Sequence, residues 1–232
     1  MAGLKKILGY YKFKINNDLL DIVITLKLRN KILVGKGCKI DKDFTYGKDI
    51  ILKDYVKIGA NVMLGSNVII GDCVKFSNIQ ISDNTHVDGH VETTGDGNGF
   101  IKIGQECYIG KYTILDWSDN IEIGDFVHIA GPSTALWTHT SRDMCFNSIP
   151  LKSSNRASYR PTSPIKIESN VYIGCNCTLY PGITVGHHSI IAPNSAVSGD
   201  VESYTMVGGV PARPIKRLDN SDSSIGDLIF NS

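Results

Sequence analysis

The stretch STALWTHTSRDM, Ser133 to Met144, gathers side chains that could do chemistry: Trp137, His139 and Arg142. A neutral imidazole can take a proton from a weakly nucleophilic hydroxyl near physiological pH. Asp116, upstream in ILDW, is a candidate to hold that ring or an acceptor, with an ordinary solvent-facing aspartate the competing reading. Trp137 suits stacking on a sugar ring or packing at a loop base. Arg142, Lys152, Arg156 and Arg160 could meet a phosphate through charge-assisted hydrogen bonds or remain solvated. The pairs His86/His90 and His187/His188 raise zinc chemistry, but no three-histidine set accompanies them. His187 and His188 fall in a turn after Val185 and Gly186, where they should point to solvent, so no metal is expected.

The elements that position these groups show in a six-residue rhythm. Aliphatic or aromatic residues recur every sixth place at Val34, Ile40, Tyr46, Leu52, Ile58, Leu64, Ile70 and Phe76. With 42% hydrophobic residues, eight such coincidences in one frame arise by chance roughly once in a thousand. The beat returns at Ile103, Ile109 and Leu115, at Ile123 and Ile129, and from Ile167 to Val197. Glycine often follows, and a second apolar residue such as Val56, Val62 or Val171 stands two places before. A helix period of 3.6 drifts against a period of six, and simple alternation does not place glycine so regularly. A coil with three flat faces, each hexad one short strand and a turn, fits both features.

The interruptions and the ends carry their own expectations. Val91 to Phe100, VETTGDGNGF, is glycine-rich and reads as a tolerated surface loop. A longer break from about Leu136 to Ser163 is of a length that is usually functional. Leu19, Ile22, Val23 and Leu26, behind Asn16, Asn17 and Asp18, predict a short amphipathic helix in an N-terminal segment of residues 1–33. The coil is expected over 34–206, with the protruding loop at 136–163, and an extension and tail over 207–232.

The hexads IGANVM, LGSNVI, IGDCVK, IGQECY, IGDFVH and IGCNCT resemble those of the hexapeptide-repeat acyltransferases, and the resemblance runs from about Val34 to Leu218. It implies an all-β fold, a left-handed parallel β-helix; the hand comes from the resemblance, since parallel crossovers are normally right-handed. ALWTHTSRD followed by a loop and then PIKIESNVYIG is similar to the sugar and polysaccharide O-acetyltransferases of that family, such as maltose and galactoside acetyltransferases. The match implies His139 as general base, Asp116 as its polar neighbour, and the backbone N–H of Cys175 as the donor to a developing oxyanion. It implies acetyl-CoA as acyl donor along the later coils, with Tyr172, Gly174, Cys175, Ala192, Ser198, Gly199, Arg213 and Lys216 along its path, and Trp137, Arg142 and Arg160 toward a carbohydrate acceptor. Where the relatives often carry an asparagine near the histidine, the register puts Ile109 here. Family members of this kind associate as homotrimers with active sites between subunits.

Bulk properties bound the alternatives. The 232 residues hold Lys+Arg 24 against Asp+Glu 23, a net charge of +1 that recruits no nucleic acid by itself. Six cysteines without C-x-x-C spacing read as reduced thiols, and neither a signal peptide nor a spanning helix is evident, so a cytoplasmic protein is expected. The basic N-terminal segment could touch an anionic membrane weakly. The runner-up reaction is N-acylation of a nucleotide-linked amino sugar, and the reading of a different class is a non-catalytic β-helix scaffold.

Overall fold

The computed structural model describes residues 24–26, 32–41 and 44–218. The basic stretch with Lys5, Lys6, Lys12 and Lys14, to which the membrane-contact expectation belongs, lies outside them, as does the tail from residue 219. The chain winds through three sheets of 11, 7 and 8 strands in a fixed order. One coil shows the rule: His128–Ile129 lies on the first face, Ala135–Leu136 on the second, Ile165–Ile167 on the third, and Tyr172–Ile173 is back on the first. Coil-to-coil pairs are parallel, such as Leu115 with Leu136 and Leu136 with Leu179. This is the parallel β-helix that the hexads predict.

Each hexad builds its face from the inside. Ile70, Ile109, Ile129, Ile173 and Ile191 are fully buried, and Val56, Val68 and Val74 fill the space two residues earlier. Burying each such side chain is worth about 1.5–3 kcal/mol, and the thin core depends on every rung. Corners need a residue at positive φ, and asparagine supplies it at Asn61, Asn67, Asn84, Asn170, Asn176 and Asn194, with φ between 55 and 61°. A short polar side chain tolerates that left-handed conformation better than a branched one. Glycine after the inward residue answers a different need, close approach: a Cβ on Gly110 would lie 2.1 Å from the Gly131 N.

Four expectations change. Leu26, the last of the four helix positions, lies in the strand Ile24–Leu26, which pairs antiparallel with Ile32–Val34; the other three lie outside the described residues. The β-branched Ile24 and Thr25 favour an extended chain, and this strand covers the open edge of the first coil. The long break begins later than Leu136, which is fully buried in Ala135–Leu136. The chain leaves the coil after His139 and rejoins it at Thr162, where the two bridge antiparallel. Between them lie a helical turn, Arg142–Phe146, and a 3-10 turn, Arg156–Tyr159. At the other end, Thr205–Gly208 carries the first face past residue 206, and Arg213–Arg217 folds back on it antiparallel.

VETTGDGNGF is the fourth change, because it is not a free surface loop. Glu92–Thr94 is a strand of the second face paired with Ile114–Asp116. The glycines after it run against backbone: a Cβ would come within 1.9 Å of the Ser118 O at Gly97 and 2.2 Å of the Asp119 C at Gly99. The departures at 95–100, 117–120 and 140–161 therefore follow the successive strands Glu92–Thr94, Ile114–Asp116 and Ala135–Leu136, and all leave from the corner between the second and third faces. Replacing Gly110 with Ala is expected to destabilise the fold by about 1–3 kcal/mol in urea unfolding through overpacking. Gly199→Ala, where nothing lies within 4 Å, is expected to stay within about 0.5 kcal/mol.

Candidate active site

The irregular corner brings Asp116 and His139 together. Leu115 pairs with Leu136, so the residues that follow each strand leave the face one above the other. His139 Nδ1 lies 2.6 Å from Asp116 Oδ2. The carboxylate is fully buried, while the His139 side chain keeps 18% of its surface exposed. Its other hydrogen bonds come from the Ser118 N–H at 3.1 Å, the Ser118 hydroxyl at 2.7 Å and the Thr138 N–H at 2.9 Å. The Thr138 hydroxyl donates to the Asp116 carbonyl at 2.7 Å and accepts from the Asp119 N–H at 2.9 Å, which ties the two rungs together.

Burial opposes ionisation of Asp116, but hydrogen bonds from Ser118 and His139 outweigh it and hold the carboxyl below the usual range. An ionised Asp116 accepts the Nδ1–H, so the Nε2 lone pair is left on the opposite side of the ring. His139 lines a cleft of about 440 Å³ whose walls also include Asp96, Asn98, Asp119, Arg156, Arg160 and Thr162. The arrangement is an imidazole held at Nδ1 by a buried carboxylate on the wall of a polar cleft, which can take and return a proton through its second nitrogen. A larger cleft of about 670 Å³ on the third face includes Lys102, Glu122, Lys166 and His187. It lacks any buried carboxylate–imidazole pair, and the chemistry points to the smaller one.

The remaining expected residues divide among different parts of the prism. Trp137 sits edge-on to the His139 ring at 6.2 Å and packs at the loop base, outside the cleft lining. Arg142 is exposed, pairs with Asp143 at 2.7 Å, and also stands outside the cleft. Arg160 lines it. Ile109 is core, fully buried, and has no place at the site. Gly174, Cys175 and Ala192 occupy the corner between the first and second faces, away from His139. A Cβ on Gly174 would lie 2.5 Å from the Pro193 N. Corner amides such as Ser66 N–H and Gln105 N–H donate to an aspartate one coil on. Pro193 offers no such side chain, and among the described residues no acceptor takes the Cys175 N–H.

Tyr172 lies on the outer surface of the first face, in register with His128 and Ile190. Ser198, Gly199 and Arg213 line a cleft of about 380 Å³ at the C-terminal end, together with Arg217, a residue that no motif marks. Tyr180 pairs over Trp137 and Ser198 follows one rung later, so that cleft starts about 10 Å along the axis from the His139 rung. Lys216 is exposed on the end strand, opposite Met206. Ser118, Thr138, Asp96 and Asp119 carry much of the site without a sequence signal beyond their place after a strand. His86 meets Tyr108 at a tilt and His90 stacks on Tyr112, while His187 and His188 lie against Tyr204, His188 exposed as expected and His187 only partly so. Among the described residues no group of three or more His, Cys, Asp or Glu could hold a metal ion.

Comparison with known proteins agrees with the coiled fold. The model of the bacterial transferase hexapeptide (six repeats) matches residues 164–199, and that of the hexapeptide repeat of succinyl-transferase matches residues 55–87. The chain is 29% identical over 122 residues to the "Putative lipopolysaccharide biosynthesis O-acetyl transferase WbbJ" of Escherichia coli (strain K12), covering 46% of this chain and 62% of that protein. It is 27% identical over 161 residues to a chloramphenicol acetyltransferase of Agrobacterium fabrum, covering 65% of this chain and 72% of that one. The fold superposes on the N-acyltransferase AntD from Bacillus cereus, solved with dTDP and 3-hydroxybutyryl-CoA. The TM-score is 0.53 at 20% identity, over 84% of this chain and 87% of that one.

The depressed carboxyl makes a signed prediction. Asp116 contributes stability that is present above its unfolded pKa of about 3.9 and is lost as pH falls through its lower folded value. Asp116→Asn is therefore expected to melt below the wild type at neutral pH, with the gap between the two closing only as pH drops below about 4. Thermal melts of both proteins from pH 7 to pH 2.5 check this; a gap independent of pH would contradict it.

Proposed function

We propose that this chain, a member of the hexapeptide-repeat acyltransferases, transfers an acetyl group from acetyl-CoA to a hydroxyl of a sugar, in the assembly of a surface polysaccharide or glycolipid. The observation that carries the reading is the 2.6 Å contact between His139 Nδ1 and the buried Asp116, in a side chain that lines a polar cleft. His139 Nε2 takes the proton of the acceptor hydroxyl as its oxygen attacks the thioester carbonyl. The carbon–sulfur bond then breaks, the CoA thiolate receives that proton from Nε2, and an acetyl ester and free CoA leave. Asp116 keeps the proton on Nδ1 throughout and stabilises the imidazolium between the two transfers.

The acetyl-CoA would run toward the C-terminal cleft, where Ser198 and Gly199 form a smooth wall and Arg213 and Arg217 stand at the rim. Lys216 is assigned with them on the resemblance. Gly174, Ala192 and the unpartnered Cys175 N–H, with Tyr172 nearby, would serve the reacting carbonyl from the other corner. Because base and oxyanion donor stand at different corners of the prism, the complete site needs a second copy, and we assign a homotrimer. The first face supports this. Its nine coil rungs, Leu33, Ile51, Ile69, His86, Tyr108, His128, Tyr172, Ile190 and Met206, carry no lysine, arginine or carboxylate, and cations enter that face only on the end strand Arg213–Arg217. Burial pushes the imidazoles of His86 and His128 down, which keeps the face uncharged.

All six cysteines are free, as suits the reducing cytoplasm where acetyl-CoA is available. Among the described residues no helix is long and apolar enough to cross a membrane. Incubation with acetyl-CoA and a panel of sugars and nucleotide-linked amino sugars, read by thiol release and product mass, tests the reading and separates ester from amide. His139→Ala is expected to lower kcat by about 10²–10⁴-fold while the protein stays folded. Full activity of that variant would remove the proposed base.

A further inference from the structure

Two guanidiniums share one carboxylate at the edge of the His139 cleft. Arg156 Nη2 donates to Asp96 Oδ2 at 2.7 Å, and Arg160 Nη1 donates to the same oxygen. Arg160 Nε also donates to Ser141 Oγ at 3.2 Å. One carboxylate balances one of the two cations, so the trio keeps a surplus positive charge. The two arginines differ in access: the Arg160 side chain is 18% exposed and Arg156 44%. Arg160 is the inner strut, and Arg156, with one N–H bonded to Asp96 among its five donors, is the more exposed of the two.

The rest of the cleft is arranged differently. Asp119 on another wall has its oxygens engaged by the Asn120 N–H at 2.7 Å and the Thr162 hydroxyl at 3.0 Å. Asn98 and Asn120 add neutral amides to the lining. One region of the cleft therefore favours an anion, and the others favour hydroxyls. The arginine trio also lies on the far side of His139 from the C-terminal cleft. Asp96 follows Glu92–Thr94, two rungs before the His139 strand, whereas Ser198 follows Ala196–Val197, two rungs after it. The phosphates of a donor lying along the later coils are thus left to Arg213 and Arg217, and Arg156 is open to the other substrate.

We infer that the acceptor is an anionic sugar, carrying a carboxylate or a phosphate that docks on Arg156 and Arg160 while a hydroxyl of the same molecule meets His139 Nε2. Asp96 is a positioning residue that holds the two guanidiniums to one wall. Bidentate pairing of guanidinium with carboxylate or phosphate gives both affinity and orientation. The hydroxyl half of this statement rests on the transferase reading; the anion half stands on the arginine trio alone. A trio that only ties the 140–161 loop to the glycine-rich turn would affect all acceptors alike.

The test is direct binding to the full-length His139→Ala protein, which cannot turn its ligands over on the proposed reading. A neutral hexose, the matching hexuronic acid, a hexose phosphate and a nucleoside-diphosphate hexose are titrated by calorimetry. At least one acidic member is expected to bind tenfold or more tightly than the neutral hexose, more weakly as salt rises. The member that does so tells a carboxylate from a phosphate. Adding Arg156→Gln is expected to bring the acidic-to-neutral ratio to within about twofold, and Arg156→Lys to restore part of it. Equal binding of neutral and acidic sugars, no binding of any acidic sugar, or an Arg156→Gln effect equal on all four would overturn the inference. Acid-selective binding without acetyl transfer by the wild type would instead sink the transferase reading and leave the anion site standing.

Discussion

Coil-on-coil register is the constraint on which the whole site depends. Asp116 and His139 are far apart in sequence, yet they meet because Leu115 and Leu136 are paired and fully buried. Neighbouring rungs are about 4.8 Å apart, a distance that an aspartate and a histidine leaving adjacent strands can span. A slip of one residue would turn both leucines outward and carry Asp116 to the wrong side of its strand. The aliphatic beat thus does more than hold the solenoid together. It sets the vertical order of whatever groups stand at the corners, and a prism with a regular core can carry an irregular corner without losing alignment.

A buried carboxylate is the costly part of that arrangement. Left unpaired, such a charge destabilises a fold by several kcal/mol. Hydrogen bonds to a charged group return about 1.5–3 kcal/mol each, and Asp116 receives them from Ser118, Thr138 and His139. The balance falls toward the ionised form, and the depressed pKa is its signature. Two of those donors are backbone N–H groups fixed by the coils, so little is left to reorganise when a proton moves. The Trp137 edge against the imidazole limits the ring further. Position, tautomer and orientation of His139 are consequences of one well-solvated buried charge.

How much of this was legible in the sequence follows the same division. The hexads predict the strands and inward residues because a fixed period is a local property, and Ile70, Ile129 and Ile173 stand where the beat puts them. Asparagine marks corners because its left-handed preference is also local. His139 and Asp116 were readable as candidates because the beat breaks around them. Ser118, Thr138 and Asp96 were not, since serine, threonine and aspartate after a strand are unremarkable until another coil is laid on them. The glycines of VETTGDGNGF suggest looseness along the chain, but in space they allow backbone to pass close to Ser118 and Asp119. Leu26 fits a helical spacing equally well as an edge strand, and the open end of a sheet decided for the strand. The loop start was misplaced because Leu136 and Trp137 look like the entry to a loop, while the Trp137 N–H still bonds Leu179.

The distribution of irregularities says what the solenoid is for. Insertions at successive rungs of one corner build a walled cleft, whereas insertions scattered over three corners would only roughen the surface. The corner between the first and second faces stays regular, and there Pro193 leaves the Cys175 N–H without an acceptor among the described residues. On the proposed reading these are complementary halves: a walled pocket with a base at one edge, and a smooth edge with a bare donor at another. Within one chain the width of the second face lies between them, so neither half can act on the same carbonyl alone. Bringing one prism's irregular edge against another's regular edge joins them without any movement inside either coil. The rigidity that makes a parallel β-helix a poor lid makes it a good ruler, and under this reading catalysis is assembled between copies instead of being closed over by a single chain.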